Sequence, residues 1–124
     1  MNEIIREVLQ QNVDVLFAYL FGSMAQGQDG PRSDIDIALY FAEDVSDHFE
    51  RGLTIHGELC RKLKTDRVDV ILLNKAHNLM LIDEIIRQGT VILDRNKKAR
   101  EDFEISHLHR AMDFKQQRLS IIGV

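Results

Sequence analysis

Two aspartates one residue apart, Asp34 and Asp36, head the apolar run IDIALYF. In a strand, residues two apart share a face, so both carboxylates project together while Ile35, Ile37, Leu39 and Phe41 face a core. Like charges that close repel unless a cation or a shared proton compensates. Oxygen-only ligands with no histidine nearby suit magnesium, or manganese, rather than zinc. A third carboxylate, Asp69, starts the run VDVILL, with Val68, Val70 and Leu72 on the opposite face. Should that strand pair beside IDIALYF, three carboxylates meet at one end of a sheet. Such a set can hold two magnesium ions about 3.5–4 Å apart and clamp an in-line phosphoryl transfer.

The other half of the chemistry lies upstream. Gly22 and Ser23 leave the apolar run VLFAYLF into GSMAQGQDGPRSD, which holds three of the seven glycines and the only proline. Backbone N–H groups and Ser23 Oγ in such a turn can cradle phosphate oxygens, and Gly22 permits close approach because it lacks a Cβ. Lys75, after the third apolar run, is a further candidate for phosphate contact. A glycine-rich turn or an Asp-x-Asp pair alone is weak. Their conjunction with a third carboxylate at strand ends that can converge is the informative feature.

Those residues need elements to position them. Spacing of apolar residues predicts a helix over 2–12, with Ile4, Ile5, Val8 and Leu9 inward. VLFAYLF and IDIALYF read as strands, being too short for core helices and rich in β-formers. A helix over 47–63 follows, with Asp47 and Glu50 as a capping box and Phe49, Leu53, His56, Cys60 and Leu63 as its buried face. VDVILL at 68–73 is a strand. Asn78 caps a helix that turns Leu79, Ile82, Ile85 and Ile86 inward and stops at Gly89. VIL at 91–93 is a short strand, and residues 96–119 form one long charged helix. Its apolar line is Ile105, Leu108, Met112 and Leu119, flanked by Phe103 and Phe114, amid basic residues from Arg95 to Arg118. The expectation is an α/β (α+β) domain with a mixed sheet of about four strands and helices on one side of it. Packing roles are expected for Tyr40, His56 and an inert Cys60, solvent exposure for His48, and no metal role for His107 and His109, which do not face each other on a helix.

Composition narrows the function classes. The 124 residues suit a single domain spanning 1–124, and 44% hydrophobic content fills one core. A net charge of −4 argues against broad, direct nucleic-acid binding, though not against a nucleotide neutralised by metal. The single cysteine excludes an internal disulfide and fits a reducing compartment. With no 18-residue apolar run and no signal-peptide pattern, no membrane association is expected and the location reads as cytoplasmic.

Gly22-Ser23, ten residues, then Asp34-Ile35-Asp36 resembles the signature of the DNA-polymerase-β-like nucleotidyltransferases. LFGSMAQG followed by SDIDI most resembles the smallest branch, the minimal nucleotidyltransferase (MNT, or MntA-type) antitoxins, and the likeness covers nearly the whole chain. It implies the polymerase-β-like fold, metal binding by Asp34 and Asp36 with Asp69 completing the set, and Gly22-Ser23 on the triphosphate of ATP. It also implies a partner, a HEPN-domain ribonuclease toxin held in a stable hetero-oligomer and inactivated when AMP is transferred to its tyrosine. The family turn commonly reads GSxARG, whereas Gln26 stands here in the arginine position, removing a fixed cation that Arg32 could replace. Two alternatives follow. One is a non-catalytic antitoxin that masks the toxin, and the other is a small-molecule nucleotidyltransferase, which larger relatives achieve with an added helical domain.

Overall fold

The run Val15–Phe21 is apolar at every position, a pattern that suits a strand covered on both faces. The computed structural model describes residues 2–22 and 34–121, with side chains in the last helix described as far as Arg110. Its elements are α1 (Asn2–Gln11), β1 (Val15–Phe21), β2 (Ile35–Phe41), α2 (His48–Leu63), β3 (Val68–Leu72), α3 (Leu79–Gln88), β4 (Thr90–Asp94) and α4 (Lys97–Ile121). The strands form one sheet in the order β3-β2-β1-β4. β1 pairs antiparallel with β2 and β4, and β2 pairs parallel with β3. The mixed α/β architecture and the long terminal helix agree with the sequence reading.

The placement of the helices does not. They cover both faces of the sheet rather than one. Ile5, Val8 and Leu9 of α1 and Ile55 and Leu59 of α2 pack on Val15, Ala18 and Leu20 of β1 and on Ile35, Ile37 and Leu39 of β2. On the opposite face, Ile82 and Ile85 of α3 and Phe103 of α4 pack on Phe17, Tyr19 and Phe21. A register shift between Val15 and Phe17 lets consecutive Leu16 and Phe17 serve the second face. Tyr40 is packed as expected, stacked on Phe17 with ring centroids 4.6 Å apart.

Two helices turn a different stripe inward from the one that periodicity suggests. In α2 the buried residues are Gly52, Ile55 and Leu59, while Phe49 and Leu53 are exposed. Gly52 carries no hydrophobic signal, yet it is the contact point. A Cβ there would come within 2.8 Å of Leu72 Cδ2, so a larger residue would require the Leu72 side chain to shift. Asp47 caps the helix as expected, accepting from the Glu50 N–H at 3.3 Å. His48 is half-buried and stacked on Phe41 rather than turned to solvent.

In α4 the inward line is Ala99, Phe103 and His107, whereas Ile105 and Leu108 are exposed. Met112, Phe114 and Leu119 lie outside the described side chains. Polar anchoring decides this rotation. Tyr19 donates its hydroxyl proton to Glu104 Oε1 at 2.6 Å, and Arg100 bridges Glu104 at 3.0 Å and Asp94 at 2.9 Å. Arg95, although exposed, donates to the Leu9 and Gln10 carbonyls that end α1, where a helix leaves acceptors free. Two residues of the basic series are thus structural.

Candidate active site

Antiparallel pairing of β1 with β2 brings the end of one strand to the start of the other, with Phe21 opposite Asp36. Parallel pairing of β2 with β3 then sets Asp36 opposite Asp69. Phe21, Asp36 and Asp69 are therefore in register across three adjacent strands, and Gly22, the next residue after Phe21, lies against the Asp36 side chain. Asp34 and Asp69 are exposed and Asp36 is half-buried. The Asp36 side chain shares its face with Ala38 and Tyr40, the side that α3 covers.

Gly22 has φ +78°, a backbone conformation that side chains rarely adopt. A methyl group there would overlap Asp36 Oδ2. The glycine thus serves the site in two ways: it turns the chain out of β1 and leaves space for the carboxylate beside it.

The electrostatics are those of uncompensated negative charge. The Asp36 carboxyl is held above the usual carboxylate range, first by burial and then by repulsion from Asp69 and Asp34. A hydrogen bond shared with Asp69 and repulsion from Glu84 push in the same direction. Glu84, on α3, is a neighbour that the sequence reading missed. Nothing in the periodicity of LMLIDEIIRQ marks it, because only the packing of α3 on β1 brings it near the strand ends. A concentration of carboxylates that raises its own proton affinity suits hard divalent cations, which bind oxygen and relieve the repulsion. Asp36 and Asp69 are register partners on adjacent strands, while Asp34 precedes the first residue of β2. Among the described residues no three such ligands converge on one point.

The remaining candidates fall in different places. Ser23, Gln26 and Arg32 lie outside the described residues. Lys75 is exposed and closes a turn on the Leu72 carbonyl beyond the far end of β3, so the fold does not bring it to Gly22 and the aspartates. His56 is engaged structurally, its Nε2 lying 2.8 Å from the Val68 carbonyl. Cys60 Sγ is 3.6 Å from the same nitrogen and half-buried.

The sequence matches the polymerase beta nucleotidyltransferase family over residues 3–98. The chain belongs to this family. The match takes in Gly22, Asp34, Asp36 and Asp69. No functionally curated protein matches the sequence. Solved structures do. A chain from the crystal structure of a toxin-antitoxin with AMP-PNP is 26% identical, with a TM-score of 0.79 over 98% of this chain and 94% of that one. A chain from a toxin-antitoxin MntA-HpeT complex with a Tyr-to-Ala substitution is 28% identical, with a TM-score of 0.75 and coverage of 98% and 93%. Another, from an MntA-HpeT complex with two Asp-to-Glu substitutions, is 24% identical with a TM-score of 0.80, covers 98% and 95%, and shows the shared fold. These likenesses bear out the resemblance to MNT-type antitoxins.

Proposed function

We propose that this nucleotidyltransferase domain is an antitoxin that transfers AMP from ATP to a tyrosine hydroxyl of a HEPN-domain ribonuclease toxin. The observation that carries the reading is the strand register that sets Asp36 opposite Asp69, with Gly22 packed against the Asp36 carboxylate. The whole-length likeness to chains from toxin-antitoxin crystals, one containing AMP-PNP, supports a nucleotide and a protein partner. The Tyr-to-Ala substitution in another supports a tyrosine acceptor.

In this reading Gly22 and Ser23 receive the triphosphate through backbone N–H groups and the serine hydroxyl. Asp36 and Asp69, with Asp34 at the strand entrance, would offer carboxylate oxygens to magnesium, or manganese, which would supply charge neutralisation at the phosphates. Asp69, on the edge strand, lies where an incoming hydroxyl can reach it. A tyrosine hydroxyl has a pKa near about 10, so a carboxylate that accepts its proton helps attack at neutral pH. A bond forms between the tyrosine oxygen and the α-phosphorus, the bond from that phosphorus to the bridging oxygen breaks, and pyrophosphate leaves. Asp69 carries the proton. The reaction belongs in the cytoplasm, where ATP is available.

The experiment separates binding from chemistry. Asp69→Asn should retain measurable ATP–Mg²⁺ affinity by calorimetry but lose about 10²-fold or more in transfer rate, since an amide accepts no proton. Turnover equal to wild type would remove Asp69 from the reaction.

A further inference from the structure

Two apolar stripes run along α2, and the core uses one of them. Gly52, Ile55 and Leu59 face inward, while Phe49 and Leu53 remain 68% and 54% exposed. These two residues, with His56 of α2 and Val68, Val70 and Leu72 of β3, wall an open groove of about 250 Å³ that Asp69 also lines. That volume falls below the roughly 300–1,000 Å³ of small-molecule sites, which favours a side chain over a nucleotide. His56 does not make the groove polar, because its Nε2–H is donated to the Val68 carbonyl at 2.8 Å. β3 is an edge strand, and no strand among the described residues pairs with its outer side.

We propose that this groove seats an apolar side chain of the protein that carries the acceptor tyrosine, so that the partner docks across the outer edge of β3. The proposal rests on the adenylyltransferase reading for the identity of the partner. Continuity with the carboxylates selects this occupant. Asp69 projects to the face of Asp36, while its neighbours Val68 and Val70 project to the face of α2. A partner segment crossing the edge thus meets a carboxylate and an apolar socket within one residue step of about 3.3 Å. Gly22 lies on the far side of Asp36, toward β1, which leaves the β3 side for the acceptor. An aromatic and an aliphatic side chain left together in water beside a reactive carboxylate are of the kind that anchors a partner. The exposed pair Ile105 and Leu108, on α4, lacks that continuity and serves as the control.

The test compares wild type with Phe49→Ser/Leu53→Ser and with Ile105→Ser/Leu108→Ser. The probe is the HEPN-domain ribonuclease that the proposed function gives as partner, purified as a separate protein. All four positions are solvent-facing, so melting temperature and ATP–Mg²⁺ affinity should stay at wild-type values. For the α2 variant, the Kd for toxin and the KM for toxin in AMP transfer should rise about tenfold or more, with kcat at saturating toxin within about twofold. Unchanged Kd and KM would overturn the proposal, as would loss of toxin binding in the α4 variant alone. A wild-type dimer that the α2 variant converts to monomer, with toxin binding intact, would assign the groove to a second copy and also overturn it. If wild type binds toxin but transfers no AMP, the adenylyltransferase reading fails, and toxin affinity alone then decides the groove.

Discussion

Asp36 shows how a single residue carries the conflict between folding and function. Its carboxyl is raised first by burial and then by Asp69 and Asp34, so the folded chain binds its proton more tightly than the unfolded chain does. The stability this gives is fully present below the ordinary carboxylate pKa of about 3.9 and is lost as pH rises through the raised folded value. At neutral pH the charged group therefore works against the fold. Asp36→Asn should melt about 2–4 °C above wild type at pH 7.5 without divalent metal, a modest gain because the group is partly solvated. The difference should vanish below about pH 4, and magnesium should raise the melting temperature of wild type but not of the variant. Equal melts at neutral pH would mean that the carboxylates do not oppose folding. At this scale the sequence was legible in part. The IDIALYF and VDVILL runs were read as strands and their pairing brings Asp36 opposite Asp69, whereas Asp34 precedes β2. Glu84 was hidden because its approach depends on how α3 packs, not on any local pattern.

Elements were legible in type and less so in rotation. Every helix and strand was anticipated, since apolar spacing and the caps Asp47, Asn78 and Gly89 are local signals. Which stripe of a helix faces inward is a tertiary matter. Gly52 buries α2 where Phe49 and Leu53 would have been chosen, and the Arg100–Glu104–Tyr19 network rotates α4 away from Ile105 and Leu108. That rotation buries His107 completely, with neither ring nitrogen hydrogen-bonded among the described residues. Asp83 Oδ1 is 3.6 Å away, too far for a hydrogen bond. Burial lowers the His107 pKa and outweighs the opposing pull of Asp83, while Arg110 and Arg87 lower it further. A base with a lowered folded pKa contributes stability that is full above its unfolded value, about 6.5, and is lost as pH falls through the folded one. Melting temperature should therefore fall between pH 7.5 and pH 5. His107→Leu, which leaves nothing to protonate, should flatten that fall by about 3 °C or more. Thermal melts of both proteins across that range check it, and parallel curves would show that His107 does not set the acid sensitivity.

At the scale of the whole molecule, the likeness to toxin-antitoxin chains spans 98% of the sequence, through the terminal helix and beyond the family match at residue 98. No helix among the described residues is long and apolar enough to cross a membrane. The net charge of −4 leaves the proposed nucleotide to be neutralised locally rather than by a basic surface. The partner was legible only through the Gly22-to-Asp36 signature, because a docking surface has no periodicity of its own. A pure binding domain would have no need to hold Asp36 and Asp69 together against their repulsion, which favours the proposed transfer over masking.

The most direct measurement is a titration of toxin ribonuclease activity with wild type and with the Asp34→Ala/Asp36→Ala double variant, each with and without ATP and magnesium. Catalytic transfer predicts that substoichiometric wild type silences excess toxin only when ATP and magnesium are present. The toxin should stay inactive after the antitoxin is removed, and the double variant should give no such protection. Equal protection by both proteins, at one-to-one and without nucleotide, would contradict the account and establish masking instead.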